Sequence, residues 1–282
     1  MHADPDTVAV LVNGAPSGVI PVSDRGLHYG DGLFETLAID AGRPLLWEAH
    51  MQRLRAGCER LRIAAPDAAV LADEAAQLCV GQTRAVLKII VTRGPAARGY
   101  APPRPATATR ILSRTPWPDY PAAFARQGVT VDWCGALLAR NPRLAGIKHL
   151  NRLEQVLARA ECPDALAECL MCDTEGYAIE GTMSNVFLVR GGTLITPDLS
   201  QSGVAGVLRA QVLAAARDRG FDCREAWLRP AEFEAAEEVF LTNCIIGLWP
   251  VTRLGERTYP LGKITQTLQH ALAAARAITF PD

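Results

Sequence analysis

The chain has 282 residues, 49% of them hydrophobic and 21% charged, which suits one large globular domain or two ordinary ones and excludes a disordered or collagen-like chain. Its 29 basic and 30 acidic side chains leave a net charge of −1. Such a balance gives no electrostatic case for a nucleic-acid or membrane-surface partner.

In chain order, residues 8–13 (VAVLVN) read as an opening strand with a turn at Gly14–Gly18, and 33–39 (LFETLAI) as a strand closed by the hairpin signal Asp40-Ala41-Gly42. Trp47, Met51, Leu54, Cys58 and Leu61 recur at spacings of four and three, which predicts a helix with one apolar face. A second helix is expected over 67–80, then strands at 85–93 and 107–114. The segment between these strands, 94–105, is dense in Gly and Pro and must be a loop. Residues 115–123 (TPWPDYPAA) read as a linker, giving a smaller N-terminal domain over 1–114 and a larger one over 124–282.

Beyond the linker, a strand at 129–133 precedes a turn at Asn141-Pro142. An amphipathic helix follows around 149–161, with Leu150, Leu153, Val156, Leu157 and Ala160 on one face. Strands are expected at 165–172, 177–180, 184–189 and 193–196, a helix at 206–219, strands at 223–228 and 238–243, and a last helix at 262–277. There is no internal repeat. Mixed rather than alternating elements imply two α/β or α+β domains.

No apolar run approaches the roughly 18 residues of a membrane span. Met1–Asp6 carries two acids and no apolar block, unlike a signal peptide. The eight cysteines (58, 79, 134, 162, 169, 172, 223, 244) are scattered through a chain large enough to need no staples, so reduced thiols in a cytoplasmic protein are expected. Cys169 and Cys172 form a lone CxxC in a strand-like segment, where positions three apart face opposite ways, which argues against a metal or redox pair. The five histidines (2, 28, 50, 149, 270) make no zinc spacing, so no metal is expected.

Only three of the 29 basic residues are lysines: Lys88, Lys148 and Lys263. Chemistry that needs a primary amine able to lose its proton therefore has three candidates. Lys148 stands out, because Ile147, Leu150 and Leu153 surround it at a loop–helix junction, and apolar surroundings make an amine nucleophilic near neutral pH. In EGYAIEGTMSNVFLV (175–189), Glu180 lies between a strand and Gly181. It is either an exposed hairpin acid or a carboxylate held against a protonated ring nitrogen. SGVAGVLRAQVL (202–213) puts Gly203 and Gly206 just before a helix, which is a plain turn or an anion cradle of backbone N–H groups. FLTNCIIG (240–247) offers a second such set. Arg53, at the edge of an apolar helix face, either snorkels to solvent or reaches inward to a phosphate.

These features together, with VSDRGLHYGDGLFETL (22–37), KHLNRLEQVLARAE (148–161), IEGTMSNVFLV and GVAGVLR, resemble the fold-type IV pyridoxal phosphate (PLP) enzymes over nearly the whole chain. That family comprises branched-chain aminotransferases, D-amino-acid aminotransferases and aminodeoxychorismate lyases, and the lysine segment is worded most like the lyases. The resemblance implies a two-domain D-amino-acid-aminotransferase-like fold and a homodimer. It implies that Lys148 forms the Schiff base with PLP, Glu180 pairs with the pyridine nitrogen, Arg53 binds phosphate, and Val207 and Leu208 offer backbone amides. Cys244 and Ile245 fall in the second phosphate segment, and Val204 packs on the ring. Phe34, Thr36, Arg98 and Tyr100 line the substrate pocket, with Thr36 also assisting proton delivery. The implied reaction is lysine-mediated proton abstraction and cleavage of 4-amino-4-deoxychorismate to 4-aminobenzoate and pyruvate, a step toward folate. Two alternatives stay open: an aminotransferase with the same cofactor, and a non-catalytic α/β binding module. Cys244 departs from a threonine found in many aminotransferases, which would cost a hydroxyl donor while leaving a backbone one.

Overall fold

The computed structural model describes residues 9–278; the expectation for Met1–Asp6 lies outside them. The chain forms two compact units. The first contains the residues up to Asp119 together with Ile147–Asn151, and the second contains Tyr120–Gly146 and the chain from Arg152 onward.

In the first unit, β1 (Ala9–Val12), β2 (Ala15–Pro16), β3 (Gly32–Asp40), β4 (Arg43–Pro44), β5 (Arg84–Thr92) and β6 (Thr109–Pro116) form an antiparallel sheet in the order β2-β1-β6-β5-β3-β4. The helices are α1 (Arg25–Tyr29), α2 (Trp47–Leu61) and α3 (Ala68–Cys79). Helix α2 forms where the three-and-four spacing predicts it and buries Met51, Leu54 and Cys58. It ends at Arg62, whose left-handed φ of 56° and N–H donation to the last carbonyls close the final turn. Asp67 caps α3 by accepting the Ala69 N–H at 2.7 Å.

Lys148 belongs to this first unit, whereas the sequence reading placed it in the C-terminal domain and at the start of a helix. The reason is strand pairing. Strand β4 covers only the far end of β3, at Ile39 and Asp40, so the near end has an edge. Residues 148–150 occupy that edge: Phe34 N–H donates to the Lys148 carbonyl at 2.9 Å, and Leu150 N–H donates to the Gly32 carbonyl at 3.0 Å. Gly32 is required here, since a Cβ would stand 2.5 Å from the Val91 carbonyl oxygen and 2.8 Å from Leu150 Cδ1. The expected linker also shortens, because β6 runs through Pro116.

In the second unit the helices are α4 (Ala123–Gln127), α5 (Leu153–Glu161), α6 (Val207–Arg217), α7 (Pro230–Glu234) and α8 (Lys263–Ala274). The strands are β7 (Val129–Trp133), β8 (Glu168–Cys172), β9 (Ala178–Gly181), β10 (Asn185–Arg190), β11 (Thr193–Pro197), β12 (Cys223–Ala226), β13 (Glu238–Asn243), β14 (Gly247–Leu254) and β15 (Arg257–Thr258). They form a mixed sheet ordered β12-β11-β10-β13-β14-β7-β8-β9, with β15 on β14. Phe187 and Phe240 stack across β10 and β13 with centroids 4.9 Å apart. The expected α/β class holds.

Two expectations need correction. Helix α5 starts at Leu153 rather than near residue 149, and its apolar stripe is not core: Leu153, Val156 and Leu157 are 75%, 58% and 60% exposed. The cysteines are not all thiols either. Cys162, capping α5, is joined by a disulfide to Cys169 on β8, with Cα atoms 5.9 Å apart, while the other six cysteines are outside any disulfide. Seven residues of chain return Cys169 to within bonding reach, so its partner is Cys162 and not Cys172. Among the described residues, no helix is long and apolar enough to cross a membrane, and no group of ligating side chains could hold a metal ion.

Candidate active site

Strand β3 carries two sets of functional groups, one on each face, because successive side chains alternate. Phe34 and Thr36, both half-buried, share one face. The Lys148 ammonium lies 4.4 Å from the Phe34 ring centroid, and the Lys88 ammonium, from the position opposite Thr36 on β5, lies 5.1 Å from the same centroid. Two of the three lysines thus flank one aromatic ring. The sequence reading passed over Lys88 as a mid-strand lysine. Its exposure in an otherwise buried strand, at the register of Thr36, is the property that marks it.

Glu35 points to the other face, beneath α2, and is 1% exposed. Its carboxylate accepts Arg53 Nε–H at 2.9 Å and Arg53 Nη2–H, and meets His50 Nδ1 at 2.7 Å. Burial works against a charge on Glu35, but the Arg53 guanidinium and His50 outweigh it and hold the carboxyl below its ordinary value. Arg53 therefore does not snorkel. It is a side chain 14% exposed whose planar fork is fixed by a buried acid. Glu35 and His50 escaped the sequence reading, although an acid inside LFETLAI and a histidine one turn before Arg53 on α2 are legible signals of a buried pair.

The signature around β3 has a physical explanation. Asp24, fully buried, caps α1 through the Gly26 N–H at 2.8 Å and accepts Thr92 and Thr109 hydroxyls at 3.0 and 2.8 Å. Asp31 receives Arg25 Nε–H at 2.8 Å and both Nε–H and Nη2–H of Arg93 at 2.7 and 3.0 Å. Burial would raise the Asp31 pKa, yet these two guanidiniums carry it below its ordinary value. Asn151, three residues past Lys148, donates to the Gly30 carbonyl at 3.1 Å. Arg98 and Tyr100 sit on the exposed 94–105 loop, with Tyr100 86% exposed.

In the second unit, Glu180 is 5% exposed on β9, and its Oε2 accepts the Val204 N–H at 2.8 Å. Gln155 Nε2 lies 3.5 Å from the other oxygen. Burial lowers the pKa of the nearby Arg152 guanidinium, and the Glu180 and Glu154 charges oppose that loss. The exposed-hairpin alternative for Glu180 is thus removed. Gly203 is required twice over: its φ is +81°, and a Cβ would stand 2.6 Å from Ile179 and 3.3 Å from Glu180 Oε2.

Helix α6 begins with Gly206 as N-cap, without a side-chain cap and without an acid in its first turn. A Cβ at Gly206 would fall 2.0 Å from Asn185 Oδ1, so a close backbone approach is built in. The N–H groups of Val207 and Leu208 have no acceptor within the helix and stand at its positive end. Helix α8 also starts with a glycine N-cap, but there the Glu238 carboxylate takes the Ile264 and Thr265 N–H groups at 3.0 and 2.9 Å. The second phosphate segment fits less well than expected. The Ile245 N–H is committed to Asn243 Oδ1 at 2.8 Å, as is that of Ile246 at 2.9 Å, within the turn after β13.

Glu168, which the sequence reading missed, organises the turn beyond Glu180. Fully buried on β8, it accepts the N–H groups of Cys169, Thr182 and Met183 and the hydroxyls of Thr182 and Ser184. An acid inside the apolar run ALAECLM is the signal that could have found it.

The class IV amino-transferase family profile matches residues 32–254. The chain is 35% identical over 263 residues to the aminodeoxychorismate lyase of Vibrio harveyi, covering 92% of this chain and 97% of that protein. It is 49% identical to the crystal structure of 4-amino-4-deoxychorismate lyase from Pseudomonas aeruginosa, with a TM-score of 0.91 over 94% of this chain and 98% of that one. The branched-chain-amino-acid aminotransferase of Escherichia coli K12 is 27% identical over 272 residues, 89% of this chain and 86% of that protein. Family members use PLP, and each unit holds groups that fit it: the first an amine on an aromatic face and an arginine fork fixed by a buried acid, the second a buried carboxylate and a helix N-terminus with a glycine cap. A PLP-dependent enzyme by these measures, the chain belongs to the class IV aminotransferase family.

Proposed function

We propose that this chain is a 4-amino-4-deoxychorismate lyase, which converts 4-amino-4-deoxychorismate to 4-aminobenzoate and pyruvate on the way to folate. Its higher identity to the two lyases than to the aminotransferase supports the reading. The observation that carries it in the geometry is the pair of lysines flanking Phe34. One amine serves the chemistry, and the second supplies fixed positive charge suited to a substrate with two carboxylates.

When bound, PLP supplies an electron sink for the carbon that bears the substrate amine. Lys148 would hold the cofactor through its aldehyde, and its free amine would serve as the base for the proton on that carbon. The Glu180 carboxylate would hold a proton on the ring nitrogen. Arg53 and the Val207 and Leu208 amides would hold the phosphate, with Cys244 in the second phosphate segment and Val204 against the ring. Phe34 shields the Lys148 amine from water. Lys88, with Arg98 and Tyr100, receives the substrate carboxylates, and the Thr36 hydroxyl assists protonation of the departing three-carbon unit. Loss of that unit is favoured because the remaining ring becomes aromatic.

The test is to mix the purified protein with PLP and aminodeoxychorismate and assay pyruvate with no keto acid added. Stoichiometric pyruvate and 4-aminobenzoate are expected. Faster amino transfer from D-alanine or leucine to 2-oxoglutarate would reject the assignment.

The reading includes a homodimer, and the exposed stripe of Leu153, Val156 and Leu157 on α5 supports a second copy as its cover. Leu157→Glu should shift the protein from dimer toward monomer in sedimentation velocity at micromolar concentration; a dimer unchanged by that charge would remove α5 from the interface. A cytoplasmic location belongs to the same proposal; the six cysteines outside any disulfide support it, and the Cys162–Cys169 disulfide weighs against it.

A further inference from the structure

The Gly- and Pro-rich loop 94–105 is exposed, yet its middle is tied down from a single side chain. Arg25, itself 4% exposed, donates from Nη1 to the Gly99 carbonyl at 2.8 Å and from Nη2 to the Tyr100 carbonyl at 3.0 Å, with Nη1 also 3.5 Å from the Ala101 carbonyl. Its Nε–H is held by Asp31, and Asp31 is anchored by Arg93, whose Nη groups bond the Leu61 and Arg62 carbonyls at the end of α2. Tyr29 completes the grip. Its hydroxyl accepts the Gly99 N–H at 3.0 Å, its ring lies 4.8 Å beneath the Arg25 guanidinium, and its centroid is 5.4 Å from that of Tyr100. Gly99, at φ +111°, lets the chain present consecutive carbonyls to one guanidinium.

A long loop without secondary structure would otherwise sample many conformations, and ordering it costs conformational entropy each time a ligand binds. We propose that Arg25 is a positioning residue for the substrate: it clamps the backbone of Gly99–Ala101 so that Arg98 and Tyr100 are presented in advance to the substrate carboxylate. This rests on the reading of the loop as part of the pocket for an anionic amino acid. The clamp also accounts for the DRG and HYGD parts of the N-terminal signature: Asp24 caps the helix carrying Arg25, Tyr29 receives the loop and Asp31 anchors the guanidinium.

The test compares the holoenzyme with its Arg25→Lys variant. Lysine keeps the charge but cannot bond two carbonyls and Asp31 in one plane. Hydrogen exchange of the peptide covering 96–103 should quicken about tenfold or more, with β3 and β5 unchanged. The KM for aminodeoxychorismate should rise about tenfold with kcat within about twofold, since a lost preorganisation weakens substrate binding before the chemical step. PLP affinity should not move. Tyr29→Phe, which removes only the acceptor of the Gly99 N–H, should shift both readouts in the same direction by a smaller factor, and it decides the matter if Arg25→Lys does not fold. Faster loop exchange with unchanged KM, or a raised KM with unchanged exchange, overturns the proposal. A wild-type protein that releases no pyruvate removes the substrate reading instead, while the exchange measurement still reads the clamp.

Discussion

Lys148→Ala is expected to leave a folded protein whose pyruvate release falls by about 10⁴-fold or more, because on the proposed mechanism one amine is both the covalent anchor and the base. The fold should survive the change. What Lys148 gives to the first unit is its backbone carbonyl, which accepts the Phe34 N–H, and alanine keeps that carbonyl. The side chain contributes its approach to the Phe34 ring, worth about 0.5–1 kcal/mol at a partly exposed site. Circular dichroism and the melting temperature should therefore stay near wild type, while the visible absorbance of lysine-bound PLP disappears. Lys263→Ala is the control: it opens α8 and should change neither activity nor absorbance. Retention of more than about 1% of activity by Lys148→Ala would contradict the role, since a base alone commonly contributes about 10²–10⁴-fold.

The second large effect is expected at Glu180. Glu180→Gln keeps an oxygen to accept the Val204 N–H and keeps the shape of a buried site, so stability and the position of Val204 should change little. It removes the negative charge proposed to hold a proton on the cofactor nitrogen. Without that proton the ring withdraws electrons poorly, and kcat should fall about 10²–10³-fold, the scale seen when one electrostatic stabiliser is deleted from a reacting centre. PLP titration of the apoprotein should still reach one equivalent. A kcat within threefold of wild type would show that the carboxylate faces something other than a ring nitrogen.

Much of the fold was legible because periodicity reports packing. Helix α2 begins and ends where its apolar spacing begins and ends, and β3, β5, β7 and β13 lie within a residue or so of their predicted ranges. The failures have separate causes. Strand β14 was not expected from the sequence, and Pro250 lies inside it. The structure accommodates that proline just before β14 begins to pair with β7 at Val251, where the missing N–H breaks no ladder bond on that side. The helix at α5 was drawn too early because Leu150 fits a helical stripe, but Leu150 pairs with the edge of β3 and long-range hydrogen bonding overrides local pattern. The stripe itself was real, but Leu153, Val156 and Leu157 are exposed rather than packed into the core.

The candidate site was legible where a residue's own chemistry is distinctive. A rare lysine, an acid after a strand and glycines before a helix all announce themselves. The partners that fix those groups do not, since Glu35, His50 and Glu168 acquire their meaning only from residues brought beside them by folding. The same holds for the Cys162–Cys169 pair, whose closeness depends on how α5 returns to β8.

The most direct test of the whole account is to reduce the PLP-loaded protein with borohydride, digest it and map the fixed cofactor. The account predicts a single pyridoxyl-modified peptide carrying Lys148, with Lys88 and Lys263 unmodified; label on either of those lysines, or on none, would contradict it.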